Sequence, residues 1–369
     1  MRPPASPRER LDWLRLIRAE HVGPVTFTTL LQRYGSAARA LEVLPDLASR
    51  GGARGAPRVP SLAEADDEVA ALTRLGGRFL ALGEADYPAL LAAADGAPPL
   101  LAVLGHPSLL TAKTIALVGA RNASGAGIRM ARELATELGR AGFVIVSGLA
   151  RGIDTAAHEA GFATGTVGVL AGGVDVVYPP ENQKLYDKMR GEGAIISEMP
   201  LGTAPQARHF PRRNRLISGL CRAVIVVEAA ERSGSLITAR LANEQGREVF
   251  VVPGSPADPR CRGSNRLIRE GATLVQSAGD VIESLTTLPL RRLEESDADR
   301  FEADAPPAGD AEIERFRPLV LERLGPTPIE IDELVRQTGA PVQAVASILL
   351  ALDLAGRLSR QPGQKVALL

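Results

Sequence analysis

From residue 114 onward, short apolar runs rich in β-branched residues recur at 115–118, 144–146, 167–170, 194–196, 224–227, 249–252 and 273–275, with helix-length stretches between them. Apolar runs of this length suit strands buried on both faces, and strands alternating with helices join by right-handed crossovers into a parallel sheet. The spacing predicts a doubly wound, Rossmann-like α/β domain. In such a sheet ligands bind outside the carboxyl ends of the strands, so recognition is expected at the loops that follow them.

Those loops are small and polar. They read Gly-Ala-Arg-Asn-Ala-Ser-Gly at 119–125, Ser-Gly-Leu-Ala-Arg-Gly-Ile-Asp at 147–154, Ala-Gly-Gly-Val-Asp at 171–175, and a fourth at 228–234. Together they predict one phosphate-accepting rim on which Arg121, Arg151 and Arg213 converge, with Ser147 and Asn214 as neutral donors. Ser124 and Asp154 also suit helix caps, a duty that needs no ligand. Gly119, Gly125 and Gly127 do not have the dinucleotide spacing and no Walker lysine follows a glycine-rich loop, so no nicotinamide or ATP cofactor is expected.

No catalytic set stands out either. His158 lies beside Glu159 in a predicted helix, where packing or capping accounts for it, and no serine or cysteine sits in a nucleophile motif. Cys221 and Cys261 give neither a disulfide framework nor a metal-ligand spacing, which points to a reducing, cytoplasmic setting without a metal. The N-terminus lacks the apolar core of a signal peptide, and no apolar run reaches bilayer length.

The stretch at 206–222 carries the most suggestive chemistry. Arg208, His209, Arg212, Arg213 and Arg215 surround Phe210 immediately before the strand at 224–227. Pro211 disfavours helix at the residue before it, so Phe210 is expected in a loop and exposed, with a short helix over 212–219. Guanidinium forks fit phosphate oxygens, an exposed ring offers bases a stacking face, and the Asn214 amide both donates and accepts; the combination suits single-stranded nucleic acid. The competing reading is compositional. Of 43 basic residues only Lys113, Lys184, Lys188 and Lys365 are lysines, so arginine clusters arise cheaply, and on that reading Phe210 caps the core. Acidic residues also number 43, so any nucleic-acid site must be a local patch and not a global field.

The flanks are simpler. Residues 1–60 read as a small helical domain in which Leu11, Leu14 and Ile17, then Phe27, Leu30 and Leu31, keep helical spacing. The turn between those helices resembles a helix-hairpin-helix, but Pro24 removes one of the backbone donors that such modules turn to phosphate, which favours a packing or partner-binding role. Residues 61–287 form the Rossmann-like domain, with 61–113 as a lead-in segment packed on it, and 288–310, charged and non-periodic, read as a linker. Residues 311–369 give three helices (312–324, 331–338, 342–355) and a hairpin turning at Pro362-Gly363, a winged helix. Its third helix contains no Arg or Lys, so it suits protein contact, or weak DNA contact through Arg357, Arg360 and Lys365.

Taken together, these motifs resemble the DNA processing protein A (DprA/Smf) family. The likeness is carried by Gly-Ala-Arg at 119–121, Ser147 to His158, Gly172 to Asn182, Ser197-Glu198, Phe210-Pro-Arg-Arg-Asn-Arg-Leu-Ile, Ser233 to Ala239, Val252 to Ser255 and Leu267 to Ala272. The flanks are similar to the family's sterile-alpha-motif-like and winged-helix segments. The resemblance implies a homodimeric, non-enzymatic protein that binds single-stranded DNA and loads the RecA recombinase during natural transformation. It implies a DNA pocket of Arg121, Phe210, Arg213 and Asn214, to which the residues themselves add Ser147, Gly148, Arg151, Lys184 and Arg208 as candidates, and dimer contacts at Leu267, Ile268 and Leu274. Where the family usually has Gly-Ser-Arg this chain has Gly-Ala-Arg, and two customary lysines are Ala207 and Pro180, for which Arg208 and Lys184 stand in. The alternative from another class is a nucleotide N-glycosidase, for which Glu198 or Glu228 is the candidate carboxylate.

Overall fold

The computed structural model describes residues 2–287, 309–361 and 363–369. The chain divides into two compact units, one built on the segment that begins at Asp66, the other on Pro4–Ala65 together with the C-terminal segment ending at Leu369.

In the second unit the chain starts with α1 (Pro7–Arg18), α2 (Pro24–Tyr34) and α3 (Ala37–Arg50). Ser6 and Ser36 cap α1 and α3 through their hydroxyls, and Gly35 ends α2 in the left-handed conformation. Trp13 and Phe27 meet edge to face, with centroids 5.1 Å apart, in the small core between α1 and α2. After α4 (Leu62–Arg74) come β1 (Arg78–Ala81), the short α5 (Ala89–Ala92) and β2 (Leu100–Gly105).

The expected alternation follows: β3 (Thr114–Val118), α6 (Gly125–Arg140), β4 (Val144–Ser147), α7 (Ile153–Gly161), β5 (Thr166–Val169), α8 (Gln183–Glu192), β6 (Ala194–Ser197), α9 (His209–Leu220), β7 (Ala223–Val226), α10 (Gly234–Glu244), β8 (Glu248–Val251), α11 (Arg262–Arg269), β9 (Thr273–Leu274) and α12 (Ala278–Thr287). All seven apolar runs are strands of one sheet, ordered β1-β2-β6-β5-β4-β3-β7-β8-β9, and from β6 to β9 every pairing is parallel. The fold class read from the sequence is therefore the one observed. The lead-in segment differs from expectation in one respect: β1 and β2 do not pack on the sheet but extend it, pairing antiparallel along the edge of β6, with Val103 opposite Ile196. An apolar run such as 100–104 has no periodicity to say whether it covers a sheet or joins one, and the unpaired edge of β6 decides it.

β3, fully buried, pairs with β4 on one side and β7 on the other, Ala116 facing Val224 across the latter. The chain winds away from β3 through β4, β5 and β6, then returns to its other side at β7, so the switch point lies between β3 and β7. Ile115, Leu117, Ile145, Ile225 and Phe250 face α6, α7 and α12 in the main core. Right-handed connections place α9 and α10 on the opposite face.

The C-terminal segment comprises α13 (Asp310–Arg323), β10 (Ile329–Glu330), α14 (Ile331–Thr338), α15 (Val342–Leu354), β11 (Leu358–Gln361) and β12 (Lys365–Leu368). The strands form an antiparallel sheet ordered β10-β12-β11, the wing of a winged helix. The linker predicted at 288–310 lies outside the described residues except for its last two positions, as does Pro362 of the expected turn. Among the described residues no helix is long and apolar enough to cross a membrane.

Candidate nucleic-acid interface

At the carboxyl end of β4 the backbone turns sharply, and Leu149, buried, adopts a left-handed φ of 55°. A branched residue holds that conformation only where its surroundings fix it. Here the carboxylate of Asp154, in the first turn of α7, accepts from the N–H groups of Gly148 (3.0 Å) and Ala150 (3.3 Å) on either side of Leu149. The Asn182 amide donates to the carbonyls of Leu149 (2.8 Å) and Ala150 (3.4 Å). The loop is thus locked from both directions.

Gly148 makes the floor of the site. A Cβ there would stand 1.4 Å from Nη1 of Arg213, so only glycine admits that guanidinium. Arg213 is buried. Burial brings it down to about 10, the nearby Asp154 carboxylate working the other way, so it stays charged at neutral pH. Asp154 is itself held above the usual carboxylate range by burial, with Arg213 opposing the shift. A buried charge of either sign is tolerated only beside its opposite, and these two supply that to one another.

Phe210 stands over this floor. Contrary to the loop expected from Pro211, α9 begins at His209 and carries Phe210 and Pro211 in its first turn. Proline is accommodated there because the first N–H groups of a helix have no intrahelical partner to lose. The consequence is geometric: Phe210, Arg213 and Asn214 stand at i, i+3 and i+4, one face of one helix. The ring is half-buried, not fully exposed. Arg121, from the loop after β3, lies 5.1 Å from its centroid, Arg213 lies 5.8 Å away, and the Tyr178 ring packs at 5.8 Å with a 55° tilt. Two guanidinium groups and two rings therefore form one cradle, and among the described residues exposed Arg121 makes no ion pair, leaving its donors to a ligand.

Two hollows meet at this cradle. A narrow one, of about 20 Å³, lies among Arg121, Gly148, Arg151, Gly172, Tyr178 and Phe210. The other is a cleft of about 560 Å³ at the β3/β7 switch point, lined by Gly119 to Asn122, Phe210, Asn214, Arg232, Ser233 to Ser235 and Arg260. Pockets of roughly 300–1,000 Å³ hold small organic ligands, so the cleft has room for a nucleotide and the narrow hollow for little more than a water.

The remaining sequence-nominated residues are placed as follows. Arg151 lines the narrow hollow, exposed, 3.6 Å from Glu181. Asn214 faces the cleft and donates to the carbonyl of Gly234 at 3.2 Å. Ser147 is fully buried with its hydroxyl donated to the Leu117 carbonyl (2.6 Å), so that donor is already spent and is not free on the rim. Lys184 and Arg208 are exposed but line neither hollow. Leu267 and Ile268 are half-buried on α11, and Leu274 is exposed on the edge strand β9. Sequence reasoning alone does not place Tyr178, Asp154 or Asn182 in the site. Tyr178 and Asn182 stand in the Tyr-Pro-Pro-Glu-Asn run, whose aromatic and amide were the available signal.

The carboxylates that an N-glycosidase would need are engaged in the scaffold. Glu228 is buried and takes both the N–H and the hydroxyl of Ser124 at the start of α6. Glu198 pairs with Arg215, whose other nitrogen donates to the Gly96 carbonyl (2.6 Å). His158 is fully buried, its Nδ1 2.7 Å from the Thr166 hydroxyl, and burial together with the charge of Arg213 brings it down to about 3, so it is neutral.

Comparison with known proteins agrees along the whole chain. Residues 78–286 match the family described as DNA recombination-mediator protein A, residues 7–71 a DprA-like N-terminal HHH domain, and residues 302–364 a DprA winged helix domain. The chain is 31% identical to Protein Smf of Synechocystis over 97% of its length and 98% of that protein's. It is 46% identical to DNA processing protein DprA of Bacillus subtilis over 59% of its length and 74% of that protein's. Among solved structures, DNA processing protein A of Streptococcus pneumoniae superposes with a TM-score of 0.62 at 35% identity, covering 77% of this chain and 98% of that one. DNA processing protein A of Helicobacter pylori, whose structure was described for its single-stranded DNA binding mode, superposes with a TM-score of 0.52 at 30% identity, covering 56% of this chain and 95% of that one.

Proposed function

Because the chain belongs to the DNA recombination-mediator protein A family, we propose that the cradle around Phe210 is where it takes hold of single-stranded DNA, for delivery to the RecA recombinase during natural transformation. The observation that carries this reading is the half-buried Phe210 ring with Arg121 and Arg213 at 5.1 and 5.8 Å, beside a cleft of nucleotide size. A base stacks on the ring, Arg121 takes the adjoining phosphate, and the strand continues past Asn214 toward Ser233 and Ser235 at the start of α10. Stacking is tolerant of base identity but needs an unpaired base, which selects single strands. The single-stranded DNA binding described for the Helicobacter pylori relative supports it.

Arg151 adds charge at the rim, and Lys184 and Arg208, outside both hollows, act at longer range on the approaching strand. The protein works as a homodimer through Leu267, Ile268 and Leu274, where α11 meets the open edge of β9; an uncovered strand edge bearing an exposed leucine is a natural pairing surface. It performs no chemistry on the strand. The test is RecA assembly on a single strand already coated with single-strand-binding protein, followed by DNA-dependent ATP turnover. Wild type shortens the lag and Phe210→Ala does not; a lag that wild type leaves unchanged contradicts the delivery role.

A further inference from the structure

We infer that α15, the helix a winged helix ordinarily offers to DNA, is instead the docking face for this chain's own N-terminal helices, so that the two ends of the chain form one cooperative body. α15 is buried on two sides. Val345, Ile348, Leu349 and Leu352 enter the core of the winged helix with Ile313, Val320 and Leu334. Ala344, Ser347, Ala351 and Leu354 lie outside that cluster and are nevertheless buried. What covers them is the pair α2 and α3. Small side chains at 344, 347 and 351 let the helices approach closely. At the crossing, a Cβ on Gly51 would fall 1.9 Å from the Ala351 carbonyl oxygen, a backbone atom that cannot swing aside.

Polar bonds fix the register of this contact. The Thr26 hydroxyl donates to Asp353 at 2.6 Å and Arg33 to the Ser347 hydroxyl at 2.5 Å, while beside them Arg50 reaches both oxygens of Asp310 at the start of α13, at 2.9 and 3.3 Å. Of the three cations suited to weak DNA contact, Arg357 and Arg360 are bonded within this unit and Lys365 makes a longer, exposed pair. Arg357 donates to the Gly51 carbonyl (3.1 Å), Arg360 pairs with Asp353 (3.1 Å) and Lys365 with Glu330 (3.6 Å). To meet a phosphate, Arg357 and Arg360 would have to give up partly buried bonds, and a helix without Arg or Lys has nothing to offer in return. The partner class that fits this face is a helical protein surface with a glycine at the crossing, and the chain supplies it.

The only tryptophan, Trp13, is buried in α1 and reports on the N-terminal helices. We would follow its fluorescence during urea unfolding of the full chain in wild type, Leu349→Ala and Ile348→Val, both substitutions lying in the winged-helix core. Cooperativity predicts that Leu349→Ala lowers the Trp13 midpoint by roughly 1 M urea and that the milder Ile348→Val shifts it in the same direction by less. A Trp13 midpoint unmoved by both, while hydrogen exchange shows the winged helix loosened, overturns the inference. In a second arm, Arg357→Gln, Arg360→Gln and Lys365→Gln combined leave duplex affinity within about twofold of wild type. A drop of roughly tenfold or more overturns the inference, because the wing would then be reading phosphate with the N-terminal helices in place.

Discussion

Gly148 and Arg213 occupy one another's space: the buried guanidinium lies where the Cβ of any other residue at 148 would project, 1.4 Å from Nη1. Its distance to the Phe210 ring and its position beside Asp154 therefore depend on a residue that has no side chain. Gly148→Ala should dislodge Arg213 and weaken single-stranded DNA binding by roughly tenfold or more, at a stability cost of about 1–3 kcal/mol for overpacking. Gly191→Ala, where a Cβ meets nothing within 4 Å, is the matched control and should leave both unchanged. Binding titrations and thermal melts of the two variants check this.

Arg151 is held at the rim by Glu181, 3.6 Å away with both side chains 61% exposed. The pair is worth little to stability, yet the carboxylate offsets charge that the strand would otherwise meet. Glu181→Gln should tighten single-strand binding about two- to threefold at low ionic strength, and the gain should vanish in high salt because the interaction is exposed and screened. Affinities measured across a salt series decide it.

His158 makes the fold sensitive to acid. Its folded-state value of about 3 lies below the ordinary 6.5, so as pH falls below 6.5 the unfolded chain takes up a proton that the folded chain refuses. Stability contributed by the neutral imidazole is complete above 6.5 and declines toward pH 3, with a slope of about 1.4 kcal/mol per pH unit. Subtracting the pH profile of His158→Gln from that of wild type should isolate this slope between pH 6.5 and 5; His209, also lowered by burial, is present in both and cancels. Parallel profiles would mean that His158 takes up its proton without unfolding.

The sheet was legible because its strands are buried on both faces and β-branched, a signal that survives without tertiary knowledge. The site was legible as a set of residues and not as a geometry. Pro211 reads as a breaker in one dimension, whereas in the first turn of α9 it costs nothing, and the shift of the helix start to His209 is what aligns Phe210 with Arg213 and Asn214. Asp154 reads as a cap because capping is the commonest duty of an aspartate at a helix start; its actual acceptor role toward Gly148 and Ala150 requires the left-handed turn at Leu149, which no local pattern announces. Ser147 reads as a free donor because it ends a strand at the binding edge, but the backbone carbonyl of Leu117 on the neighbouring strand takes its hydroxyl, a pairing no local pattern announces. The fit of α3 against α15 pairs residues some three hundred positions apart. Its only traces in sequence are the cation-free third helix and its small residues.

In the proposed complex Phe210 and Arg121 together hold the single strand, the ring by stacking and the arginine by charge. The most direct test is anisotropy of a labelled oligonucleotide, single-stranded and duplex, titrated with wild type, Phe210→Ala and Arg121→Ala over a range of salt. Wild type should prefer the single strand, and Phe210→Ala should lose roughly ten- to hundredfold in affinity with the salt slope intact. In Arg121→Ala the slope should fall by about 0.7, the loss of one phosphate contact. Unchanged affinity in both variants would contradict this arrangement and place the strand elsewhere on the molecule.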